Sequence, residues 1–553
     1  MSTGTITPYR SGQRPGRDDF PHLLRAEWAK FRTVRGWVIA LVAAALLTAL
    51  AVVALAGVSN GSQNAGANPT VAIGPGGEAV TDDFYFVHQS LDGNGSITAQ
   101  VASLDTELPT PGGGSFPHIA VPWAKAGIII KAGTKPGSAY AAVMATPAHG
   151  VRMQYDYTHD TAGLPSTVSA ASPRWLRLTR SGDTITGYES ADGRHWAEIG
   201  TASLAGLPPT VQAGLFVTSP HLLVPNNSVF CHGGTCSAGT PGQSFASNSS
   251  LASYTTQATG AFDHVSLRDE RVKGDGEVGG AWRGGQIGFP TGIPFICTPS
   301  PGHFCPETPA GGFTKSGGTF TLAGSGDIAP YVTDVDPLGT VLKGSLVGLL
   351  AVIALGALFI TAEYRRGLIR TTFAASPRRG RVLAAKAIVI GLVTFAAGLA
   401  GAAVALPIAE NKLHSGGWAS SVYPLWSLTS SRGLQIVVGT AGLLAVAAIL
   451  ALSAGAVLRR SAGAIAAVVV LLIFPLILGV VLPQGPADWL LRLTPAAAFG
   501  LQQGTPQYPQ VTSVCQPYNG CFPLAPWNGF AVLCVWGAAA LGIALFLLRR
   551  RDA

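Results

Sequence analysis

The chain has 553 residues, which is long enough for at least two folding units. Only 12% of the residues are charged and 48% are hydrophobic, whereas a soluble globular chain carries about 25% charged residues. The net charge of +8 would suit nucleic acid, but the basic residues cluster beside apolar segments, as in membrane proteins. The composition therefore excludes a purely soluble protein and argues against a nucleic acid partner.

The N-terminal region is predicted to be a tail followed by a helix. Residues 1–18 are rich in Gly, Pro, Ser and Arg, which predicts a disordered cytoplasmic tail. Asp18 or Asp19 is placed to cap a helix that continues to residue 35. Its apolar side chains recur at helical spacing at Leu24, Trp28 and Phe31. With basic residues around them, this predicts an interfacial amphipathic helix over 19–35; the alternative is a cytosolic extension of the first membrane helix.

Six segments are apolar enough to cross a membrane, which takes about 20 helical residues. They are Gly36–Val58, Leu338–Thr361, Ala387–Ala409, Gly433–Leu458, Ser461–Pro483 and Pro526–Leu548. The first exceeds the short apolar core of a signal peptide, so we predict a retained helix. Only the second contains a charged residue, Lys343, which argues against an ion-coupled carrier. Glycines of the third and fourth segments predict close helix packing: Gly391, Gly398, Gly401, Gly439 and Gly442.

The distribution of Lys and Arg predicts the orientation of the chain. Segments 1–35, 362–386, 459–460 and 549–553 hold 19 of the 36 Lys and Arg residues, but 5 of the 28 Asp and Glu residues. Cytoplasmic loops carry the excess of basic residues, so both termini are predicted to be cytoplasmic and residues 59–337 extracellular. The Ala-, Gly-, Arg- and Pro-rich composition indicates a bacterial chain, and hence a multi-pass protein of the bacterial plasma membrane.

The region 59–337 is predicted to be an all-β sandwich or jelly roll, because many short strands alternate with turns. Within Pro173–Gly200 the predicted strands are Trp175–Arg180, Thr184–Ser190 and Arg194–Gly200, with a type I′ turn at Asp192-Gly193. Further strands are predicted at Ala126–Gly133, Ser138–Thr146, Gly150–Tyr157, Val211–Ser219 and Gly260–Arg268. The predicted fold class is therefore a six-helix membrane bundle with an extracellular β domain.

Six of the seven cysteines lie outside the membrane in this topology. They form near pairs, Cys231 with Cys236, Cys297 with Cys305, and Cys515 with Cys521. An oxidising exterior favours disulfides, although the connectivity stays open. A zinc site is the alternative for the first four, but their spacings lack a C-x2-C.

The order of motifs in the β region resembles a concanavalin A-like (laminin G-like) sandwich over about residues 80–268. The motifs are TDDFYFVHQSLDGNGSITAQV, WAKAGIIIKAG and the closing AFDHVSL. The stretch GGTFTLAGSGDIAP, residues 317–330, is similar to the opening strand of such a domain, displaced to its end. We expect it to pair back onto the sandwich.

The resemblance implies binding of carbohydrate or protein, since such sandwiches often carry aromatic residues on one face. The candidate ligand face consists of Tyr155, Tyr157, Tyr188 and Trp196; the alternative is that each packs within a core or a cross-strand pair. Catalysis is not expected, because the chain has no E-x-D-x-E, H-E-x-x-H or G-x-S-x-G motif. The chain is therefore not predicted to be an enzyme.

The basic segment 362–386 follows the second membrane helix. It holds seven basic residues and one acid, Glu363. A positive-inside anchor would explain the charges. Such an anchor explains less well the apolar side chains that lie between the basic ones. These apolar side chains predict a short helix that ends at Ser376-Pro377.

Several elements resemble the permeases of the ABC-2 type transporter family. They are LLRAEWAKFRTVRGW, the six-helix layout and TAEYRRGLIRTTFAASPRRGRVLAAKA after the second helix. In that family the cytosolic segment between the second and third helices docks on a separate ATPase subunit. By this resemblance, the residues of this chain expected to contact the ATPase subunit are Glu363, Tyr364, Arg365, Arg366, Arg370 and Thr371. The inserted domain after the first helix departs from the family pattern and leaves the substrate open.

The energy source for transport must then lie on a partner. The chain has no G-x-x-x-x-G-K-[ST] loop to cradle phosphates, so no cofactor is expected in it and ATP would bind the ATPase subunit. The resemblance implies an exporter built from two permeases, as a homo- or heterodimer, in the lipid bilayer. The alternative is a cell-surface receptor or adhesin whose sandwich binds glycan or protein, but one helix would suffice to anchor it.

Overall fold

A computed structural model of the chain describes fourteen segments. They are residues 20–58, 71–110, 114–165, 172–225, 230–232, 235–237, 251–269, 281–288, 311–332, 336–375, 378–416, 426–482, 484–511 and 521–550. The predicted tail, residues 1–18, lies outside them.

The described helices belong to the two ends of the chain. They are α1 (Phe20–Thr33), α2 (Arg35–Val58), α3 (Pro337–Leu342), α4 (Ser345–Arg365), α5 (Leu368–Ala375), α6 (Arg379–Ser415), α7 (Ser431–Leu458), α8 (Ser461–Val481), α9 (Gln484–Leu493) and α10 (Pro526–Arg550). A 3-10 helix, Pro495–Gln502, lies between α9 and α10. The break at Val34 makes α1 a separate helix and not a continuous extension of α2.

Six helical stretches in the described residues are long and apolar enough to span a membrane: α2, Pro337–Arg365 (α3 with α4), α6, α7, α8 and α10. The predicted fold class of a six-helix bundle with a β domain is confirmed. The third span is longer than predicted, since α6 begins at Arg379 and ends at Ser415. At about 1.5 Å per residue, its 37 residues exceed the hydrocarbon core of about 30 Å. Part of the basic segment 362–386 is therefore the first two turns of α6.

Small residues bring the helices of the bundle close together, as predicted. A side chain on Gly398 of α6 would lie 3.0 Å from the Ala441 backbone of α7. One on Gly356 of α4 would collide with the Ala448 carbonyl oxygen of α7. Because α7 packs against α4, α6 and α10, it is the central helix of the bundle.

The β strands occupy the long segment between α2 and α3. The first eleven are β1 (Ala72–Ile73), β2 (Ala79–Asp82), β3 (Phe84–Asp92), β4 (Gly95–Thr110), β5 (Gly114–Pro117), β6 (Lys125–Lys131), β7 (Tyr140–Thr146), β8 (Gly150–Tyr155), β9 (His159–Ala162), β10 (Arg174–Ser181) and β11 (Thr184–Ser190). The others are β12 (Ala197–Ser203), β13 (Thr210–Thr218), β14 (Leu222–Pro225), β15 (Phe230–His232), β16 (Thr235–Ser237), β17 (Leu251–Tyr254), β18 (Gln257–Asp269), β19 (Arg283–Ile287), β20 (Gly312–Ser316), β21 (Thr319–Gly324) and β22 (Ile328–Pro330).

Two large antiparallel sheets form a sandwich. One has the order β12-β11-β10-β4-β18-β21-β20, with β5 on β4, and the other the order β19-β3-β13-β6-β7-β8-β9. Their facing side chains, such as Ile97 and Leu178 from the first sheet and Ile128 and Val143 from the second, form one buried core. In the first sheet, β10 and β11 alternate buried and more exposed residues, as expected for strands with one face on a core. In the second sheet, β6 and β7 are buried along their whole length.

The stretch expected to return to the sandwich does so. Strand β21 pairs antiparallel with β18, with Phe320 opposite Phe262. Strand β22 pairs with β2, and β2 with β1, in a separate three-stranded sheet. We call β1, β2 and β22 the neck sheet, because it lies at both chain connections between the sandwich and the membrane helices.

The predicted type I′ turn at Asp192-Gly193 is wrong. Strand β11 ends at Ser190 and β12 begins at Ala197, so the connection is longer than two residues. The Asp192 carboxylate accepts hydrogen bonds from the backbone N–H groups of Arg194 and His195, both at 2.9 Å. An aspartate that binds the following backbone in this way favours a longer loop over a tight hairpin.

Candidate functional site

A buried ionic cluster joins three helices at the end of the bundle that carries Arg365 and Arg366. The Lys386 side chain of α6 is buried, and its Nζ lies 2.6 Å from Glu27 Oε2 of α1 and 2.7 Å from Glu363 Oε1 of α4. Lys30 Nζ approaches the same two carboxylates, at 2.8 Å from Glu27 and 3.4 Å from Glu363. We call these four residues the charge cluster, and this end of the bundle the basic end.

The charge cluster is electrically matched, with two ammonium groups and two carboxylates. Burial lowers the pKa of Lys30, but the hydrogen bond to Glu27 and the charges of Glu27 and Glu363 outweigh it, and the net pKa is raised. The Lys386 ammonium also lies 4.9 Å from the centre of the Phe359 ring, a favourable cation–π distance. Buried charges are tolerated only when they are paired in this way.

The sequence carries a local signal for this cluster. Glu27 lies three residues after Leu24 and four before Phe31, so it shares their helix face. Lys386 is likewise surrounded at helical spacing by apolar residues, all of which are buried: Val382, Leu383, Val389 and Ile390. A charge at the centre of an apolar helix face predicts a buried partner, but the partner itself cannot be named from the pattern.

The interfacial-helix residues have different positions in the structure. Phe31 is buried and its ring meets that of Phe359 edge-on at 6.1 Å, and Leu24 packs partly buried against the same core. Trp28 is 49% exposed. Helix α1 thus attaches to the bundle through one face and leaves Trp28 on its outer side, where an amphipathic side chain suits a membrane surface.

The six residues predicted to contact an ATPase subunit do not form one exposed surface. Glu363 belongs to the charge cluster, and Tyr364 is half-buried, with the Arg459 guanidinium 5.5 Å from its ring centre. Arg365 and Arg366 at the end of α4 are exposed. Their guanidinium groups are therefore accessible to an external partner.

The short helix α5 follows directly. Gly367 has φ +66°, a conformation in which glycine is favoured, and this separates α4 from α5. Thr371 is exposed, and its hydroxyl donates to the Leu368 carbonyl at 2.8 Å. Arg370 lies on α5, but its side chain is outside the described residues. The basic end therefore presents Arg365, Arg366 and the exposed side of α5 together.

The four residues predicted as a ligand face are not on one face. Tyr157 is 0% exposed and cannot meet a ligand, so this prediction is wrong for Tyr157. Tyr155 lies on β8 and stacks on His159 at 4.2 Å, in the other sheet from Tyr188. Of the four, only Tyr188 and Trp196 share a neighbour, Arg177. Arg177 is opposite Tyr188 in the β10–β11 pair, and its guanidinium lies 3.9 Å from the Trp196 ring centre.

The reason for the burial of Tyr157 is a second ionic cluster, which the sequence analysis missed. Lys131 Nζ lies 2.8 Å from Asp82 Oδ2, and both side chains are fully buried. The Tyr157 hydroxyl donates to Asp82 Oδ2 at 2.8 Å and accepts from Lys131 at 3.0 Å. Burial raises the pKa of Tyr157, helped by the Asp82 charge, which keeps the hydroxyl protonated. Burial lowers the pKa of Lys131, and Asp82 opposes this.

A second buried Lys–Asp pair holds strand β22 of the neck sheet. Lys125, at the start of β6, donates to Asp327 Oδ1 at 2.5 Å and to the Ile328 carbonyl at 2.8 Å. Asp82 belongs to β2 and Asp327 precedes β22. Lys125 and Lys131, at the two ends of β6, therefore fix the neck sheet to the sandwich.

The cysteines are only partly within the described residues. Cys231 and Cys236 are directly opposite each other in the β15–β16 pair, while Cys297, Cys305 and Cys515 lie outside the described residues. The Cys521 sulfur accepts a hydrogen bond from Gln507 Nε2 at 2.8 Å. The disulfide pairings stay predictions.

Six helices in the described residues are long and apolar enough to span a membrane, which indicates a multi-pass membrane protein. Residues 237–553 match the family described as ABC-2 family transporter protein, which is more than half of the chain. The chain therefore belongs to the ABC-2 transporter family. This family is a class of transport proteins and not of enzymes, and its members lie in the membrane and work with an ATPase subunit.

No curated protein matches the chain. Among solved structures, a scytalido-glutamic peptidase with a transition state analog inhibitor is 9% identical, covers 44% of this chain and 98% of its own, and has a TM-score of 0.23. A functionally unknown protein from Saccharomyces cerevisiae is 12% identical, covers 24% of this chain and 64% of its own, and has a TM-score of 0.14. Similarity at these scores says nothing about the function of this chain.

Proposed function

We propose that this chain is the permease subunit of an ABC-2 exporter, and that a separate ATPase subunit binds its basic end on the cytoplasmic side. The observation that carries the proposal is that an exposed basic surface lies directly beside the buried charge cluster. Arg365 and Arg366 are two and three residues from Glu363, which is held by Lys386. A partner that moves the end of α4 therefore moves α6 and α1 with it.

The transmission follows from the strength of a buried charge pair. Separating Lys386 from both carboxylates would leave its buried ammonium group without a partner, which costs several kcal/mol. Helices α1, α4 and α6 are thus expected to move as one unit when the ATPase subunits bind nucleotide and close. Two such permeases, identical or different, would pair on two ATPase subunits, with ATP bound only by the latter.

Reversing the charge of the exposed arginines is expected to release the ATPase subunit. The variant Arg365→Glu/Arg366→Glu should lower the affinity for the ATPase subunit about tenfold or more. Like charges that face each other across an interface cost at least about 1.4 kcal/mol. The measurement is copurification from gently solubilised membranes, with ATP hydrolysis by the purified complex. Lys412→Glu is the matched control, because Lys412 is exposed at the opposite end of α6 and should leave copurification unchanged.

Two outcomes would contradict this function. If the double variant retains its ATPase partner and full hydrolysis, the partner binds elsewhere. If no protein with a phosphate-binding loop copurifies and only envelope or glycan-associated proteins do, the chain acts as a receptor.

The proposed orientation has its own test. In intact cells, Lys135→Cys should add labelling by a membrane-impermeant maleimide above the background of the parent chain, because Lys135 is exposed on the β domain. Arg366→Cys should add labelling only after the cells are permeabilised. The reverse pattern would place the β domain in the cytoplasm and the basic end outside.

We also propose that the exterior domain is a concanavalin A-like sandwich that binds a glycan or protein. Support comes from its two facing antiparallel sheets and from the Arg177–Trp196 stack beside Tyr188 on the outward side of β10 and β11. An aromatic ring with an adjacent guanidinium suits a sugar or a peptide surface. Disulfides between the near cysteine pairs would suit this compartment.

A further inference from the structure

A cavity of about 490 Å³ lies at the end of the bundle nearest the neck sheet. Three parts of the chain line it: the start of α7, the segment 503–511 after the 3-10 helix, and residues between 522 and 526 at the start of α10. Its volume falls within the range of about 300–1,000 Å³ that is usual for small-molecule sites. The cavity includes no residue of the charge cluster or of the sandwich face around Trp196.

The segment 503–511 is fixed at both ends. The Gly504 N–H donates to Asp336 Oδ2 at 2.6 Å, and Asp336 directly precedes α3. The Gln510 side chain is buried and donates to the backbone carbonyl groups of Tyr157, at 3.2 Å, and Thr158, at 3.4 Å. The bundle and the β domain therefore both hold this wall of the cavity. A wall that is already ordered loses little conformational entropy when a ligand binds.

The carboxamide of Gln503 is a buried polar group that the fold itself does not use. Gln503 is 3% exposed and lines the cavity, and its side chain forms no hydrogen bond with any residue that the structure describes. A buried amide without hydrogen bonds costs about 1–3 kcal/mol, so native structures retain one where water or a ligand binds it. The group offers one acceptor oxygen and two donor N–H bonds.

Two hydroxyl groups of the same cavity are available in the same way. The side chains of Thr505 and Tyr508 line it, and neither hydroxyl has a hydrogen-bond partner in the part of the chain that the structure describes. Burial raises the pKa of Tyr508, so its hydroxyl stays protonated and can donate. Gln507 also lines the cavity, but its amide already donates to the Cys521 sulfur at 2.8 Å. The available groups are therefore an amide and two hydroxyls, each able to donate and to accept.

The cavity is balanced in charge. Arg432 is the one charged side chain among the described residues that line it, and the buried Asp336 carboxylate lies within electrostatic range of Arg432. Because the two charges offset each other, the site favours neither an anion nor a cation. The remaining walls include the apolar side chains of Phe522 and Pro523. A complementary ligand is therefore uncharged, rich in hydrogen-bonding groups and apolar on one face.

We propose that this cavity binds an uncharged sugar ring, a hexopyranoside, through the side chains of Gln503, Thr505 and Tyr508. The hydroxyl groups of a sugar both donate and accept, as these three side chains do. The C–H face of the ring packs against apolar and aromatic side chains such as Phe522 and Pro523. The site belongs to the helical part of the chain, so it goes beyond the exporter function and the sandwich site proposed above.

Binding can be measured by saturation-transfer NMR on the purified full chain in amphipol, since sugar-based detergents would compete. The probe is an equimolar mixture of the methyl hexopyranosides of glucose, galactose and mannose. Gln503→Leu should weaken binding of these sugars about tenfold, the loss of about one hydrogen bond. Because this variant removes an unpaired buried amide, it should not lower the thermal midpoint of the protein. Gln286→Leu, exposed on β19, is the matched control and should change neither quantity.

A second variant, Thr505→Val, keeps the shape of the side chain but loses its hydroxyl, and should also weaken sugar binding several-fold. If the parent chain gives no transfer to the sugars, the cavity holds water only and the proposal is overturned. The same holds if Trp196→Ala abolishes binding while Gln503→Leu leaves it unchanged, because the sugars then lie on the sandwich. If the sugars bind as expected but no ATPase copurifies with the chain, the site stands and the exporter function fails.

Discussion

Replacing Lys386 by methionine is expected to destabilise the membrane bundle by about 3–5 kcal/mol, the usual cost of leaving a buried ion pair without one partner. The substitution keeps most of the side-chain volume but leaves Glu27 and Glu363 facing each other at the point where Lys386 Nζ now lies 2.6 and 2.7 Å from them. Lys30 remains, but it is 43% exposed and lies 3.4 Å from Glu363. It cannot replace the buried ammonium group.

The measurement is thermal unfolding of the purified chain in detergent, combined with limited trypsin digestion. Because Lys386 attaches α1 to the bundle, cleavage after Arg25 and Arg32, which are exposed on α1, should become faster in Lys386→Met. Lys412→Met on the same helix is the matched control and should behave as the parent chain.

Neutralising the carboxylates should recover part of the loss. Glu27→Gln/Glu363→Gln in the Lys386→Met background removes the two buried charges while keeping their shape, so the triple variant should be more stable than Lys386→Met alone. A Lys386→Met protein with the stability and trypsin pattern of the parent would refute the role of the charge cluster as a lock between α1, α4 and α6.

Replacing Lys131 by methionine is the second large expected effect, again about 3–5 kcal/mol, but in the β domain. Asp82 would keep its charge in a fully buried position, with the Tyr157 hydroxyl and the Gly137 N–H, both at 2.8 Å, as its remaining hydrogen-bond donors. Since Asp82 ends β2, the damage should begin in the neck sheet.

Hydrogen exchange can locate this effect. The amides of β2 and β22 should exchange faster in Lys131→Met, because loss of the ion pair frees the neck sheet from β6. Lys135→Met, four residues further along and exposed, should leave exchange and stability unchanged, and Asp82→Asn should partly restore the Lys131→Met protein. Unchanged exchange in the neck sheet of Lys131→Met would show that the pair does not hold it.

The six spans could be predicted because the apolar length needed to cross a bilayer is a property of each segment by itself. Their ends were less predictable. Helix α6 begins at Arg379 and not at Ala387, because polar residues can extend a helix beyond the bilayer at no desolvation cost. The strands were predictable for a similar reason, since short β-type runs bounded by turn residues are a property of each segment by itself.

The candidate site was predictable only in its exposed part. Arg365 and Arg366 stand out as a basic pair after a span, and the structure leaves them on the surface. Glu363 was assigned to the same surface but lies in the charge cluster, and Tyr157 was assigned to a ligand face but is buried. In both cases the side chain has a partner far away in the sequence, 23 residues from Glu363 and 75 from Tyr157.

The sequence by itself determined the membrane class, the number of spans and the all-β character of the long insertion, because each depends on composition and period within one segment. Only the tertiary structure decided which charges pair. The apolar helix faces around Glu27 and Lys386 indicate buried charges, but the free energy that keeps a charge inside comes from a partner on another element, which the local pattern does not identify.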